Sequence, residues 1–198
     1  DVFFGWEIKL TSAHTIRTDM TAFSTLSKSP GLHAFNMWNF VFCPYLLALD
    51  VGHNTIKNLD FLESCNKLKI LIAVDAGISD ISPIACQTDL EYVELFLNDI
   101  TDISPLANLT NLRDLNLAFN DITDLSPLYE LPNLERVWLM MNKKITDEEV
   151  EKLQEHHPDC EIVTRSYGST GNVMLDDNTQ IPGTSWRHHP HYNTIYYI

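Results

Sequence analysis

Residues 90–111 read LEYVELFLNDITDISPLANLTN, and residues 112–133, LRDLNLAFNDITDLSPLYELPN, follow without a gap. The two lines agree at Leu, at Asn, at DIT and at SPL, and differ elsewhere. A chain that repeats half its residues on a fixed period of 22 stacks copies of one small unit, which leaves few folds open to it. The frame extends back to Leu68 (LKILIAVDAGISDISPIACQTD) and Leu46 (LLALDVGHNTIKNLDFLESCNK), and forward to Leu134 (LERVWLMMNKKITDEEVEKL). Each line keeps apolar residues at the first, fourth and sixth positions. Asn stands at the ninth, with Ala76 in its place in the second line, and Lys144 is one extra residue in the fifth.

Within a line, the first, fourth and sixth positions alternate like one face of a strand. VELFL and LNLAF are such strands. Stacked at about 4.8 Å, they form a parallel sheet. The ninth-position residues Asn54, Asn98, Asn120 and Asn142 end each strand. An inward Asn offers two donors and an acceptor to backbone groups that a turning chain leaves unmet, so these four are read as structural. DISPL comes next. Ser104 and Ser126 suit an N-cap, and Pro105 and Pro127 the first helical position, so a short 3-10 turn returns the chain on the convex side. Such a unit needs neighbours and end caps to bury its flanks.

The pattern resembles the leucine-rich-repeat family, and ITDISPLANLTNL is similar to the 22-residue bacterial type found in internalins. The resemblance covers 46–145, about half the chain. The fold expected is an α/β solenoid: a right-handed superhelix with a parallel concave sheet, short 3-10 convex turns and a C-terminal capping helix. The resemblance implies non-catalytic recognition of a partner, and a place outside a bacterial cell or on its surface.

The far cap is legible in KITDEEVEKLQEHHPDCEIV, within residues 146–163 and the lysine and isoleucine before them. Thr146 is a candidate N-cap, with Glu149 three residues on to complete a capping box. Ile145 and Val150 are placed as a hydrophobic staple. Pro158 stops the helix at His156–His157, and CEIV reads as a closing strand. Residues 1–45 are taken as degenerate repeats and an N-terminal cap, with an irregular repeat at 32–38 and a strand in WEIKL. Residues 164–198 are a turn-rich tail with an aromatic end, WRHHPHYNTIYYI.

The positions that vary between lines are the third, fifth, seventh and eighth. On a solenoid sheet these face outward. Asp50, Ile70, Ile72, Val74, Tyr92, Glu94, Phe96, Asp114, Asn116, Arg136, Trp138 and Met140 are therefore the candidate partner-binding residues. Large apolar patches on a protein surface mark interaction sites, and aromatics with Met are typical of interface centres. The competing reading is that the N-terminal region or the tail folds over these residues. At the eighth position, Leu97, Phe119 and Met141 are expected to tuck under. Asp114 and Arg136 share the third position of adjacent strands and are expected to pair.

The partner expected is a protein, favoured by the aliphatic Ile70, Ile72 and Val74. A glycan or cell-wall ligand stacked on Tyr92, Phe96 and Trp138 is the alternative. The third reading is a metal-dependent enzyme using the histidines at 156–157 and 188–191. Adjacent His side chains diverge and lack the spacing of a zinc helix, so no metal and no cofactor is assigned. Recurring Asp102 and Asp124, with Asp80, argue for a turn or capping role rather than calcium. The net charge of −14 makes nucleic acid a poor partner. No apolar run approaches the roughly 18 residues of a membrane span. The chain begins with Asp1, so the lack of a leader peptide is uninformative about localisation. Of four cysteines, Cys65 and Cys86 fall at nearly equivalent points of successive lines, which allows a disulfide; the plainer reading is buried thiols.

Overall fold

The computed structural model describes residues 15–17, 46–164, 173–174 and 180–181. Seven strands lie side by side in chain order. They are β1 (Thr15–Arg17), β2 (Ala48–Asp50), β3 (Ile70–Ile72), β4 (Tyr92–Glu94), β5 (Asp114–Asn116), β6 (Arg136–Trp138) and β7 (Glu161–Val163). Every neighbouring pair is parallel. From β2 to β6 the register repeats without slip, so equivalent positions of successive lines sit side by side. A separate antiparallel pair joins β8 (Val173–Met174) to β9 (Gln180–Ile181).

The repeated apolar positions build one continuous interior. Leu49, Leu71, Val93, Leu115 and Val137 stack as a row at the fourth position, all fully buried. Ile81, Ile103 and Leu125, and then Ile84, Leu106 and Leu128, form matching rows on the side of the 3-10 turns. Each such side chain gains about 1.5–3 kcal/mol on leaving water, and every coil supplies the wall that its neighbour needs.

The asparagines brace this stack. Asn98 Nδ2 donates to the Ala73 and Leu95 carbonyls at 2.8 and 3.0 Å, and its Oδ1 accepts from the Ala76 and Ile78 amides at 3.1 and 3.0 Å. Asn120 repeats the pattern one coil on, toward Leu95, Leu117 and Ile100. Asn142 does the same toward Leu117, Leu139 and Ile122. Asn54 Nδ2 donates to the Val51 and Gly52 carbonyls. One amide side chain thus serves two coils at once, which is why Asn recurs at the ninth position.

The 3-10 turns span Asp60–Ser64, Ser82–Cys86, Ser104–Leu106 and Ser126–Leu128. Ser104 and Ser126 are not caps, as their sequence context suggested, but the first residues of their turns. The capping acceptors are the aspartates two residues earlier. Asp80, Asp102 and Asp124 each take the N–H of Ser82, Ser104 or Ser126 on Oδ1 at 2.8 Å. A carboxylate makes the stronger, charge-assisted bond and so displaces the hydroxyl from that role. The bonds from Ser82 hold the Asp80 carboxyl below its ordinary value.

Helix α1 (Asp147–His156) closes the far end. Thr146 Oγ1 accepts from the Glu149 amide at 3.2 Å. The Glu149 carboxylate turns instead to the Tyr129 hydroxyl at 3.4 Å and Lys152 Nζ at 3.7 Å. Leu153 is the fully buried residue of the helix. The chain then turns at His157 and enters β7, which pairs with β6.

Cys65 and Cys86 are separate thiols, so the disulfide is not formed. The one-residue offset between them explains this. Cys65 is at the twentieth position of its line, where Leu109 and Leu131 point inward; Cys86 is at the nineteenth and exposed. The true counterpart of Cys65 is Gln87, whose Nε2 donates to the Leu62 carbonyl at 2.7 Å while its Oε1 is buried without a hydrogen-bond partner. The irregular repeat at 32–38, the strand in WEIKL and the aromatic tail lie outside the described residues. The strand that does pair with β2 is Thr15–Arg17, in a stretch where the sequence shows no strand pattern.

Candidate recognition surface

The strand register sets out the sheet face as two rows. The third-position row runs Ala48, Ile70, Tyr92, Asp114, Arg136, Glu161, and the fifth-position row Asp50, Ile72, Glu94, Asn116, Trp138, Val163. The open apolar face expected from the sequence is corrected here: Ile70, Ile72, Tyr92, Glu94, Asn116, Trp138 and Met140 are all buried. Asp50, Val74, Phe96, Asp114 and Arg136 are half-buried. The apolar side chains on this face gather in two groups. Ala48, Ile70, Ile72 and Tyr92 cluster with Val74 at one end; Ala118, Trp138, Met140 and Val163 cluster with Phe96 at the other.

Charged and polar groups lie between and beside the clusters. The Tyr92 hydroxyl donates to Glu94 Oε2 at 2.7 Å. Arg136 lies between two carboxylates in its row, with Nε on Glu161 Oε2 at 2.8 Å and Nη1 on Asp114 Oδ2 at 3.3 Å. Burial pushes the Asp114 carboxyl up to about 7, Arg136 opposes this, and Glu94, Glu135 and Glu161 add to it. Burial, aided by Asp114 and Glu161, also pushes the Cys160 thiol up to about 11. Asp50 and Asn116 act locally as well: their Oδ1 atoms accept from the Gly52 and Ala118 amides at 3.1 and 3.0 Å.

The eighth position holds the feature that sequence reasoning missed. His53, Asp75, Leu97, Phe119 and Met141 all have positive φ, between 49° and 61°. The backbone must turn left-handed there so that the next residue can drive its Asn inward. An L-residue with a bulky side chain is strained in that region by about 1–2 kcal/mol, while Asn, Asp and His tolerate it better. His53 and Asp75 fit that preference, and their side chains approach to 3.4 Å. Leu97, Phe119 and Met141 do not, and instead of tucking under they are 42%, 37% and 50% exposed. The left-handed twist aims their Cβ atoms outward. The Phe119 ring lies 5.0 Å from that of Phe96. The signal available in the sequence was the residue just before the ninth position, polar in two lines and bulky in three.

The histidines at the cap have structural partners. His156 stacks on Tyr129 at 4.2 Å and its Nδ1 bonds the Lys152 carbonyl at 2.8 Å. His157 Nε2 bonds the Leu128 carbonyl at 2.8 Å. The histidines at 188, 189 and 191 lie outside the described residues. Among the described residues no group of three or more His, Cys, Asp or Glu side chains is placed to hold a metal ion.

Comparison with known proteins gives the same class. The sequence profile described as Leucine Rich repeats (2 copies) matches residues 88–130 and again 110–153. Among solved structures, internalin C2 of Listeria monocytogenes is similar at 31% identity and a TM-score of 0.58, over 63% of this chain and 53% of that one. Internalin F of the same organism matches at 25% identity and 0.51, over 71% of this chain and 39% of that one. A leucine-rich-repeat protein of Leptospira interrogans, at 21% and 0.50, shares the fold over 62% of this chain and 38% of that one. The chain therefore spans about half the internalin C2 chain and less of the other two. No curated protein matches.

The repeats, the stacked parallel strands and the 3-10 turns define a leucine-rich-repeat solenoid, a fold that serves as a protein-interaction module in general. Within that class the chain is similar to the internalins of Listeria monocytogenes. No helix among the described residues is long and apolar enough to cross a membrane.

Proposed function

We propose that the chain is a non-catalytic recognition module that binds a partner protein with the concave, sheet side of its solenoid. The observation that carries this reading is the division of work within each coil. The repeated residues are occupied by the scaffold: the apolar stack, the asparagine braces and the aspartate-capped turns. The residues that change from coil to coil gather on the sheet side and its rim. The partner meets Asp50, Val74, Phe96, Asp114 and Arg136, which water reaches. Ile70, Ile72, Tyr92, Glu94, Asn116, Trp138 and Met140 shape and hold that surface from within it. A place outside the bacterial cell or on its surface belongs to the same proposal and rests on the internalin likeness.

The test is affinity capture on the immobilised chain, comparing wild type with the double variant Phe96→Ser, Asp114→Asn. Circular dichroism confirms that the variant is folded. The expected result is a partner protein retained by wild type and lost from the variant. A partner held equally by both would overturn the use of the sheet side.

A further inference from the structure

Leu97, Phe119 and Met141 stand on three successive coils at one edge of the sheet, and they serve no part of the scaffold. Adjacent coils are about 4.8 Å apart, so the three side chains form a ridge of roughly 10 Å. The half-buried Phe96 ring abuts it at Phe119. A strained backbone position that tolerates Asp or His carries bulky apolar groups here, held in water. Exposed apolar groups gathered on one patch mark an interaction site.

Charge and spacing identify what fits the ridge. Exposed Asp99 and Asp121 lie two residues beyond Leu97 and Phe119, and exposed Asp75 precedes Leu97 by one coil. His53 approaches Asp75 to 3.4 Å, Lys144 approaches Asp121 to 3.8 Å, and exposed Lys143 follows at the Met141 end, so the acidic stretch of the rim is the one beside Leu97 and Phe119. The chain as a whole carries −14. Along an α-helix, residues at i, i+4 and i+7 fall on one stripe about 10.5 Å long, with steps of about 4.5–6 Å. Those steps match the coil spacing. Alternate residues of an extended strand lie about 6.6 Å apart and do not. We infer that the ridge of Leu97, Phe119 and Met141 docks the apolar stripe of a partner's amphipathic helix whose flanks carry Lys or Arg against Asp75, Asp99 and Asp121. The inference rests on the recognition reading above and gives that reading a partner chemistry.

The test uses synthetic helical peptides with a Leu stripe and Lys flanks, titrated into the whole chain and followed by fluorescence anisotropy. Controls are the same peptide broken by a central Pro and one with Glu in place of Lys. The variant is Leu97→Asn, Phe119→Asn, Met141→Asn. Asn accepts the left-handed backbone, so the fold is retained, and the net charge is unchanged, so diffuse attraction of a cation is retained too. The expected result is binding of the Leu/Lys helix that weakens roughly tenfold or more in the triple variant. The Pro-broken and Glu-flanked peptides are expected to bind as poorly to wild type as the Leu/Lys helix binds to the variant. Equal affinity of wild type and variant, or equal binding of the broken or acidic peptide, overturns the inference. A wild-type dimer that the triple variant abolishes in sedimentation overturns it as well, by making a second copy the occupant. Loss of a captured protein partner from the Phe96→Ser, Asp114→Asn variant, with none from the ridge variant, defeats the ridge and leaves sheet-side recognition standing.

Discussion

The interior of the solenoid and its sheet face both hide apolar side chains from water, but they do so by different means. In the interior every coil presents the same row of Leu and Ile to the next, so burial is a consequence of the period itself. On the face the apolar residues fall into two separate clusters; Glu94, bonded by Tyr92 of the first, and Asp114 lie between them, and the row from Asp114 through Arg136 to Glu161 runs beside the second. The interior is specified by repetition and the face by particular neighbours. A face free of the repeat is where one such protein differs from another.

The largest effect that sharpens this comparison is at Trp138. It is fully buried on the face, opposite Val163. Trp138→Ala is expected to cost about 3–5 kcal/mol in a denaturant melt, as much as a core truncation. A loss under about 1 kcal/mol, the scale of a surface change, would show that the face is open and that only the interior stabilises the fold. Next comes Asn120. Replacing it with Ala takes the acceptor from the buried Ile100 amide and one donor each from the Leu95 and Leu117 carbonyls, which keep Asn98 and Asn142, and is expected to cost about 1–3 kcal/mol. An unchanged melt would show that the braces are dispensable.

These two residues also show what a sequence can and cannot carry. Asn120, Asp102 and Leu115 were legible because each recurs at a fixed place, and recurrence isolates a structural cause. The burial of Trp138 was not, since its position holds Asp50, Ile72, Glu94 and Asn116 in the other lines and no recurrence isolates a cause. The exposure of Leu97, Phe119 and Met141 was hidden for another reason. It follows from a left-handed φ that only His53 and Asp75 hint at, in two lines of five, while Gly and Asn, the usual signals, are absent at that position. The Cys65–Cys86 pairing failed by one place in the frame, which reverses a side chain from inward to outward. The Asp114–Arg136 pair was legible because two opposite charges at one position of adjacent strands fall side by side.

Asp114 tests the polar gap between the clusters. Its folded carboxyl sits near 7 and its unfolded one near the ordinary 3.8, so between those values the folded chain holds a proton that the unfolded chain has lost. Stability therefore falls as pH rises from about 4 to about 7, then levels off. Asp114→Asn is expected to flatten that slope, so its stability relative to wild type rises across the same window. Parallel pH profiles for the two proteins would show that Asp114 ionises freely. The smallest effect is at Gln87, an interior position where the other coils have Cys65, Leu109 and Leu131. Gln87→Leu removes a buried acceptor without a partner, while the Leu62 carbonyl retains the Cys65 amide at 2.9 Å. A gain of about 1 kcal/mol is expected. A loss would mean that the Gln87 amide contributes more to the interior than a matching Leu would.

Amide hydrogen exchange of the chain with and without its captured protein partner tests the central claim most directly. The account predicts added protection at the strands and rim, 92–97, 114–119 and 136–141, with none at the 3-10 turns 104–106 and 126–128. Protection confined to those turns would place recognition on the opposite side of the solenoid and contradict the account.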